Sequence, residues 1–333
     1  MARFKPHHYI PGLRRPFLQR NEARAQRNRA LAEIESLRQQ LQGVLDRQDL
    51  SQKQSPAALF VPPGHFYSPI VDTREADKHL QKLKAKPVPE SVPGIALDPE
   101  GMIEQWNEFL PFFAEIPFRA EASPGLRYHF DNQSFEQGDG SVLYAMLRAR
   151  RPKQIIEIGC GWSSACMLDT IDRYLDARCK LTFIEPYPEL LKKLCGDSIS
   201  DRSLIEAPVQ DAPLEIFEAL EQNDILFIDS THVLRTGSDV CFELFEILPR
   251  LKAGVIVHFH DTFWPFEYPR NWVVDENRSW NELYALRAYL TKSQDWRILF
   301  FNDYFAKIHG DLIEASYPDF FRNSGGSLWL QRR

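Results

Sequence analysis

From about Gly125 onward, short apolar runs alternate with amphipathic, helix-like patterns. Apolar runs of four to six residues bounded by polar residues predict buried strands, here at 154–158, 180–184, 203–206, 224–228, 254–259, 296–301 and 327–331. The helices predicted before and between them cover 139–150, 163–175, 188–195, 212–220, 237–251 and 280–290. This alternation predicts an α/β class fold, a Rossmann-like, doubly wound seven-stranded sheet with helices on both faces. No packed helix is predicted between the last two strands, which indicates an antiparallel last strand.

The chain before this region predicts an N-terminal helical and proline-rich extension. Residues 1–50 combine a basic arm with a short coiled-coil-like helix from Asn21 to Arg47. Its apolar stripe consists of Ala23, Ala30, Ile34, Leu37, Leu41 and Val44. We interpret this helix either as an oligomerisation helix, which predicts a homo-oligomer, or as a helix docked on the body. A solvated helix with an incidental stripe is the alternative.

Residues 51–125 are rich in proline and predict an ordered wrap around an α/β domain at 126–333. One helix is predicted in this segment, from Pro99 to about Leu110. The wrap carries aromatic side chains that favour burial, namely Phe60, Phe66, Tyr67, Trp106 and Phe109. Residues 63–67 form a turn followed by aromatics, which either lines a pocket mouth or, as we favour, packs on the main domain.

Composition narrows the class of protein. The chain of 333 residues is 44% hydrophobic and 26% charged, which is typical of a globular protein with a sizeable core. No apolar run approaches the roughly 18 residues of a membrane helix, and no signal peptide pattern opens the sequence. Five cysteines without metal-like spacing indicate reduced thiols and a cytoplasmic location. Residues 1–30 carry a net charge of +7, which leaves −13 on the remainder and makes nucleic acid an improbable main partner.

A glycine turn follows the first predicted strand. Gly159 and Gly161 are one residue apart and open the next helix, so we expect positive φ angles and close approach to a ligand. Glu157 lies inside the apolar strand, and a buried carboxylate requires a cation or hydrogen-bond donors as partner. The same motif is compatible with a purely structural turn around a paired glutamate.

Acidic side chains stand at or just beyond the end of each of the first five predicted strands, at the edge where open α/β sheets bind ligands. They are Glu157, Glu185, Asp211, Asp229 and Asp261, the last accompanied by His258 and His260. Glu185 comes 24 residues after Gly161, a distance that suits a carboxylate bound to the ribose of an adenosine cofactor. The dinucleotide fingerprint prefers Gly or Ala where this chain has Ser164. The turn therefore favours an adenosine cofactor without a pyrophosphate and with a cationic part.

These motifs and the seven-strand pattern resemble those of class I S-adenosylmethionine-dependent methyltransferases over about residues 126–333. The runs at 228–232 and 258–261 resemble the methyltransferase family 24 group, which includes macrocin-type sugar O-methyltransferases and cephalosporin-hydroxylase-like proteins. The resemblance implies S-adenosyl-L-methionine as cofactor. It assigns cofactor-binding roles to Glu157, Gly159, Gly161, Ser163, Glu185, Asp211 and Asp229. Glu157 and the backbone at 159–163 are expected to hold the methionine part, Glu185 the ribose and Asp211 the adenine.

The expected catalytic residues are His232, His260 and Asp261, because methyl transfer to a hydroxyl requires that the acceptor lose a proton. In catechol-type and macrocin-type relatives, carboxylates after strands four and five bind magnesium, and Asp229 and Asp261 match two of those ligands. The neighbours of Asp261 are His260 and Thr262 instead of a third acid or amide, so a divalent transition metal is a better expectation than magnesium. Metal-free base catalysis by a histidine is the alternative.

The loop at 262–279 carries five aromatic residues and is either a substrate lid, as we favour, or a packed insertion. The sequence thus predicts an enzyme, an O-methyltransferase acting on a small-molecule or glycan hydroxyl. An NAD-type oxidoreductase and a non-catalytic cofactor-binding scaffold are the alternative functions.

Overall fold

The computed structural model describes residues 60–175, 179–199 and 202–333. The predicted basic arm, helix and oligomerisation surface of residues 1–50 lie outside this part of the chain. The chain divides into two units, Met1–Ser68 and Pro69–Arg333. In the described part of the first unit, the side chains of Phe60, Phe66 and Tyr67 are exposed, so the prediction that they are buried is wrong. The rings contact one another instead, with those of Phe66 and Tyr67 4.3 Å apart.

The second unit alternates helices and strands as predicted. Its α-helices are α1 (Thr73–Lys84), α2 (Pro99–Phe113), α3 (Gln137–Arg150), α4 (Trp162–Tyr174), α5 (Glu189–Cys195), α6 (Leu214–Glu218), α7 (Asp239–Phe242), α8 (Glu282–Leu290), α9 (Asn302–Ile308) and α10 (Gly310–Ser316). Its strands are β1 (Gln154–Ile158), β2 (Lys180–Ile184), β3 (Ser203–Ile205), β4 (Ile225–Ile228), β5 (Ile256–Phe259), β6 (Trp296–Phe301) and β7 (Leu328–Arg332).

The strands form one seven-stranded sheet in the order β3-β2-β1-β4-β5-β7-β6. The first five are parallel, and β7 runs antiparallel to both β5 and β6. This confirms the predicted α/β class, the seven strands and the antiparallel last strand. Strand order reverses between β1 and β4, which is where such sheets leave a crevice at the carboxyl ends of the strands.

Three predictions about helices are wrong. Helix α1 was not predicted, because none of its residues is fully buried and its apolar face consists only of Ala76, Leu80 and Leu83. Helices α9 and α10 lie between β6 and β7, where none was predicted, so the antiparallel last strand follows from a helical connection and not from its absence. The helix predicted at 237–251 is instead the short α7, a π-helical turn at Glu243–Ile247 and a 3-10 turn at Leu248–Arg250.

The core lies on both faces of the sheet, as expected for buried parallel strands. On one face α2 covers β6, and the fully buried Trp106 stacks on Phe300 with ring centroids 6.1 Å apart. Phe109, from the same helix, meets Phe300 edge-on at 5.7 Å. Trp106 and Phe109 are thus buried as predicted. Helix α2 therefore belongs to the packed core of the second unit, while a domain boundary near residue 125 remains a prediction.

Candidate functional site

A cleft of about 460 Å³ opens at the carboxyl ends of β1, β2 and β4. The carboxyl ends of neighbouring parallel strands meet at one edge of the sheet, so the turns that follow them form a common wall. The lining residues are Ile158, Gly159, Ile184, Glu185, Pro186, Tyr187, Pro208, Val209, Gln210, Asp229, Ser230, Thr231, Arg235, Gly237, Ser238 and Asp239. Three of the predicted cofactor residues, Gly159, Glu185 and Asp229, are therefore brought together here.

Gly159 allows the turns after β1 and β4 to touch. Its φ angle is +78°, and a Cβ atom at this position would lie 1.8 Å from the carbonyl oxygen of Asp229. The positive φ predicted for Gly159 is confirmed. The same prediction for Gly161 is wrong, because its φ of −175° is extended backbone that any residue adopts. The closest atom to a Cβ at Gly161 would be Cδ2 of Leu190, at 3.3 Å.

Glu157 finds its partners within the protein. The Ser163 hydroxyl donates to Oε1 at 2.5 Å and the Ser164 hydroxyl donates to Oε2 at 2.6 Å. The side chain is fully buried, and burial raises the pKa of its carboxyl to about 8, although the two hydroxyls act in the opposite direction. Ser164 also accepts a hydrogen bond from the Gly161 amide at 3.0 Å. The buried carboxyl of Glu157 thus fixes the start of α4. The hydrogen bond between Glu157 and Ser163 engages both of these side chains.

Glu185 stands at the end of β2 and faces the cleft. Its Oε2 accepts from the amide of Cys160 at 3.0 Å, and its Oε1 accepts from the amide of Tyr187 at 2.8 Å. A carboxylate has about four acceptor positions, so this one retains capacity for two ligand hydroxyls. Asp211 is placed differently. It is exposed in the 3-10 turn Val209–Asp211 and is not among the lining residues, whereas Val209 and Gln210 are.

Beside this cleft, the turns after β4 and β5 bring two aspartates and two histidines together. His232 Nε2 lies 3.5 Å from Asp229 Oδ1 and 3.4 Å from Asp261 Oδ2. His260 Nε2 lies 3.5 Å from Asp261 Oδ1 and 3.3 Å from the carbonyl oxygen of Ser134. His232 and His260 are almost fully buried, while Asp229 and Asp261 remain partly accessible. The three predicted catalytic residues and the predicted metal ligands therefore form one centre.

Glu282 is a member of this centre that sequence reasoning missed. Its Oε2 lies 2.8 Å from His232 Nδ1, and its side chain is almost fully buried. The first turn of α8 also donates two backbone N–H groups, from Asn281 and Glu282, to the carbonyl oxygen of His232. An acid at the start of a helix ordinarily indicates a favourable interaction with the helix dipole, so the sequence carried no specific signal for this contact.

The carboxylates control the protonation of both histidines. Burial alone lowers the pKa of the His232 imidazole, but its contacts with Asp229 and Glu282 outweigh burial and hold the pKa well above its usual value. Burial likewise opposes charge on His260, yet Asp229, Asp261 and Asp139 raise its pKa to about 9. Burial raises the pKa of the Asp261 carboxyl despite the two histidines. Both imidazoles are therefore protonated hydrogen-bond donors at neutral pH. Asp261 is better placed than either histidine to accept a proton.

His258, the remaining histidine of this motif, is a core residue. Its ring is fully buried and stacks on Phe227 with centroids 3.8 Å apart. Its Nε2 is paired with the Ser327 hydroxyl at 2.9 Å, and Ser327 in turn donates to Asp139 at 2.6 Å. Burial lowers the pKa of the His258 imidazole well below its usual value, which keeps it neutral.

Asp229, His260 and Asp261 each offer one ligand atom, and these atoms lie within 4.8 Å of one another. In residues 60–175, 179–199 and 202–333, this is the one cluster of at least three His, Cys, Asp or Glu side chains with such spacing. Nδ1 of His260 is buried without a hydrogen-bond partner. The donor set of two carboxylates and one imidazole fits a divalent transition metal better than magnesium.

The aromatic loop after β5 is mainly a packed insertion. Trp264, Phe266 and Tyr268 are buried, so the predicted lid is wrong for these three rings. The Trp264 indole donates to the carbonyl oxygen of Pro89 at 2.7 Å. Trp272 remains half-buried and accessible. The guanidinium of Arg278 covers the rings of Trp272 and Trp280 at 4.3 and 4.6 Å, and the Trp280 ring lies 4.4 Å from that of His232.

In the described part of the chain, no helix combines the length and the apolar character needed to cross a bilayer. All five cysteines are free thiols.

Comparison with known proteins gives the following matches. The family model described as a methyltransferase domain matches residues 156–262. An uncharacterized protein of Archaeoglobus fulgidus is 32% identical over 167 residues, which cover 49% of this chain and 75% of that protein. The S-adenosylhomocysteine-bound methyltransferase PaMTH1 of Podospora anserina is 16% identical with a TM-score of 0.38, over 83% of this chain and 99% of that chain. The O-methyltransferase TomG of Streptomyces achromogenes, in complex with S-adenosylmethionine, is 13% identical with a TM-score of 0.36, over 78% and 96%.

The matched segment runs from β1 to the residue after Asp261 and so contains the glycine turn, Glu185 and the acid and histidine centre. By this match and by the identity with the archaeal relative, the chain belongs to methyltransferase family 24.

Proposed function

We propose that this protein is an S-adenosylmethionine-dependent O-methyltransferase that methylates a hydroxyl group of a small molecule or glycan. The observation that carries the proposal is the position of the cleft, at the carboxyl ends of β1, β2 and β4, directly beside Asp229 and Asp261. A cofactor in the cleft and an acceptor at the acidic centre would be neighbours. This is the arrangement that an in-line methyl transfer requires.

The cleft supplies groups for each part of the cofactor. Glu185 is held by two amides and has acceptor capacity left for the ribose hydroxyls. The backbone around Gly159 and the first turn of α4 offers N–H groups to the methionine part. Asp229 faces the cleft with a pKa that His260 and His232 hold below the usual value although burial opposes them, so its negative charge favours a sulfonium. Val209 and Gln210 replace Asp211 as the residues beside the adenine.

Calorimetry with S-adenosylmethionine tests this assignment. We expect the wild-type chain to bind the cofactor and Glu185→Ala to lose at least about tenfold in affinity, because two charge-assisted hydrogen bonds disappear. Glu215→Ala, at an exposed position of α6, is the control and should bind like wild type. Wild-type binding of NAD but not of S-adenosylmethionine would contradict the proposal and favour an oxidoreductase. If Glu185→Ala bound the cofactor as tightly as wild type, the ribose would have to be bound by other residues.

In the transfer step, the acceptor oxygen attacks the methyl carbon, the carbon–sulfur bond breaks, and its electron pair remains on sulfur. The acceptor proton must leave at the same centre. Asp261 is the proposed proton acceptor in a metal-free reaction, with His232 and His260 as donors that orient it. Asp229, His260 and Asp261 are also the residues that would hold a divalent cation, and such a cation would acidify the acceptor hydroxyl.

These two routes differ in their dependence on metal. Turnover that is lost after chelation and restored by Mn²⁺ supports the metal route, whereas turnover that is unaffected by chelation supports Asp261 as base. A non-catalytic scaffold, the other alternative, predicts cofactor binding without turnover of any acceptor. A cytoplasmic location, homo-oligomerisation through the predicted N-terminal helix and a main partner other than nucleic acid belong to the proposal as well.

A further inference from the structure

A second cavity, which we call the apolar groove, is lined in part by Phe263, two residues after Asp261 in the chain. Its volume is about 640 Å³, within the range of sites that bind small organic ligands. It is bounded by α1, by the extended segment at 86–89 and by the aromatic loop after β5. The apolar part of its wall includes Leu80, Leu83, Val88, Phe263, Trp264 and Tyr268.

The charged side chains on the groove wall are not balanced. Arg270 and Lys307 are each paired with an aspartate at 2.6 Å. Glu267 is engaged by the imidazole of His79 at 3.4 Å. Lys84 and Lys86 also line the groove, and among the described residues neither ammonium group has an ion pair or a hydrogen bond. An apolar cavity whose wall carries two unpaired cations is complementary to a molecule with an apolar body and an anionic group.

The groove is close to the proposed reaction centre through Phe263. A Cβ atom at Gly326 would lie 3.0 Å from Cζ of the Phe263 ring and 3.1 Å from Cα of Asp261. Gly326 therefore packs against both the Phe263 ring and the backbone of Asp261. Phe263 lines the groove and is two residues from Asp261 in the chain, so one wall of the groove adjoins the turn that carries the proposed proton acceptor.

We propose that the apolar groove binds the apolar part of the methyl acceptor, an amphiphile whose anionic group pairs with Lys84 and Lys86. This inference rests on the proposed methyltransferase function, because it identifies the groove with the acceptor site of that reaction. The acceptor is then a single-chain amphiphile that carries a hydroxyl group together with a carboxylate or phosphate.

Binding of decyl phosphate to the full chain tests the inference without knowledge of the natural acceptor. Below its micelle concentration, decyl phosphate should bind wild type at least tenfold more tightly than uncharged decanol, and inorganic phosphate alone should not bind measurably. The double variant Lys84→Gln/Lys86→Gln should lose this preference for the charged probe. Lys82→Gln is the matched control, because it removes a charge from the same last turn of α1 outside the groove.

A second variant, Leu83→Arg, places a bulky cation inside the groove and should weaken both decyl phosphate and decanol at least tenfold. Cofactor affinity, measured in parallel, should be the same in all variants and shows that each one is folded. The inference is overturned if decyl phosphate binds both groove variants as tightly as it binds wild type. It is also overturned if wild type is a dimer that Leu83→Arg converts into monomers, because the groove is then occupied by a second copy of the chain. Failure of wild type to bind S-adenosylmethionine would overturn the proposed function itself, a distinguishable result.

Discussion

Replacing Glu157 with Gln should change how the stability of this protein depends on pH. The carboxyl is fully buried, and its pKa is raised from 4.5 to about 8 by burial. The folded state therefore binds a proton more tightly than the unfolded state between these values. The stabilisation linked to this proton is complete below about pH 4.5 and is lost as pH rises through about 8.

The magnitude follows from the size of the shift. A change from 4.5 to about 8 corresponds to about 5 kcal/mol at about 1.4 kcal/mol per pKa unit. Gln has nearly the same shape and offers an acceptor oxygen and an NH2 group with two donors. The hydroxyls of Ser163 and Ser164 can reorient to bond the oxygen and one of the two N–H groups. The variant removes the titrating group without removing the two hydrogen bonds that fix the start of α4.

Urea unfolding of wild type and Glu157→Gln, at unit steps from pH 5 to pH 9, measures this effect. The difference in unfolding free energy, variant minus wild type, should rise by about 1.4 kcal/mol per pH unit and level off above about pH 8. Glu189→Gln, at an exposed position of α5, is the control and should give a flat difference. A flat difference for Glu157→Gln as well would refute the reasoning, because the carboxyl would then titrate alike in both states.

Three further predictions follow from the site. Gly159→Ala should prevent normal folding, measured by circular dichroism, because its Cβ would lie 1.8 Å from a backbone oxygen; Gly237→Ala, also at positive φ but with open space around it, should cost only about 1 kcal/mol. Glu282→Gln should lower the pKa of the His232 imidazole in an NMR titration, because its contact with the Glu282 carboxylate raises that pKa, and an unchanged pKa would show that Glu282 does not act on it. Asp261→Asn should reduce Mn²⁺ affinity at least about tenfold in calorimetry while cofactor affinity is retained, and equal Mn²⁺ binding would exclude this cation site.

The strands could be predicted closely because a buried strand is marked by a run of mainly apolar residues in the local sequence. The bounds of β1, β2 and β6 agree with the predicted runs, since each is a mainly apolar segment of five or six residues. Helix α1 could not be predicted in the same way, because its residues are at most partly buried and only Ala76, Leu80 and Leu83 form an apolar face in an otherwise polar segment. The helices between β6 and β7 were missed because their apolar residues recur less regularly than those of the earlier helices.

The candidate site likewise has features that could be predicted from the sequence and features that could not. The position of Glu185 and Asp229 at strand ends, and the need for glycine at 159, follow from sequence order and spacing. The role of Ser164 does not follow from the sequence. Its departure from the dinucleotide fingerprint gave no indication that its hydroxyl holds Glu157. The aromatic loop was misjudged since composition alone cannot distinguish rings that cover a ligand from rings that fill a core.

The sequence by itself determined the fold class, the edge of the sheet that carries the site and most of the side chains found there, because strand order and short spacings are local properties. Tertiary structure alone decided which partners those side chains have. Glu282 lies 50 residues from His232 in sequence, yet its carboxylate is 2.8 Å from the imidazole. Such pairs depend on the packing of α8 against the turn after β4, and packing over that distance leaves no periodic trace in the chain.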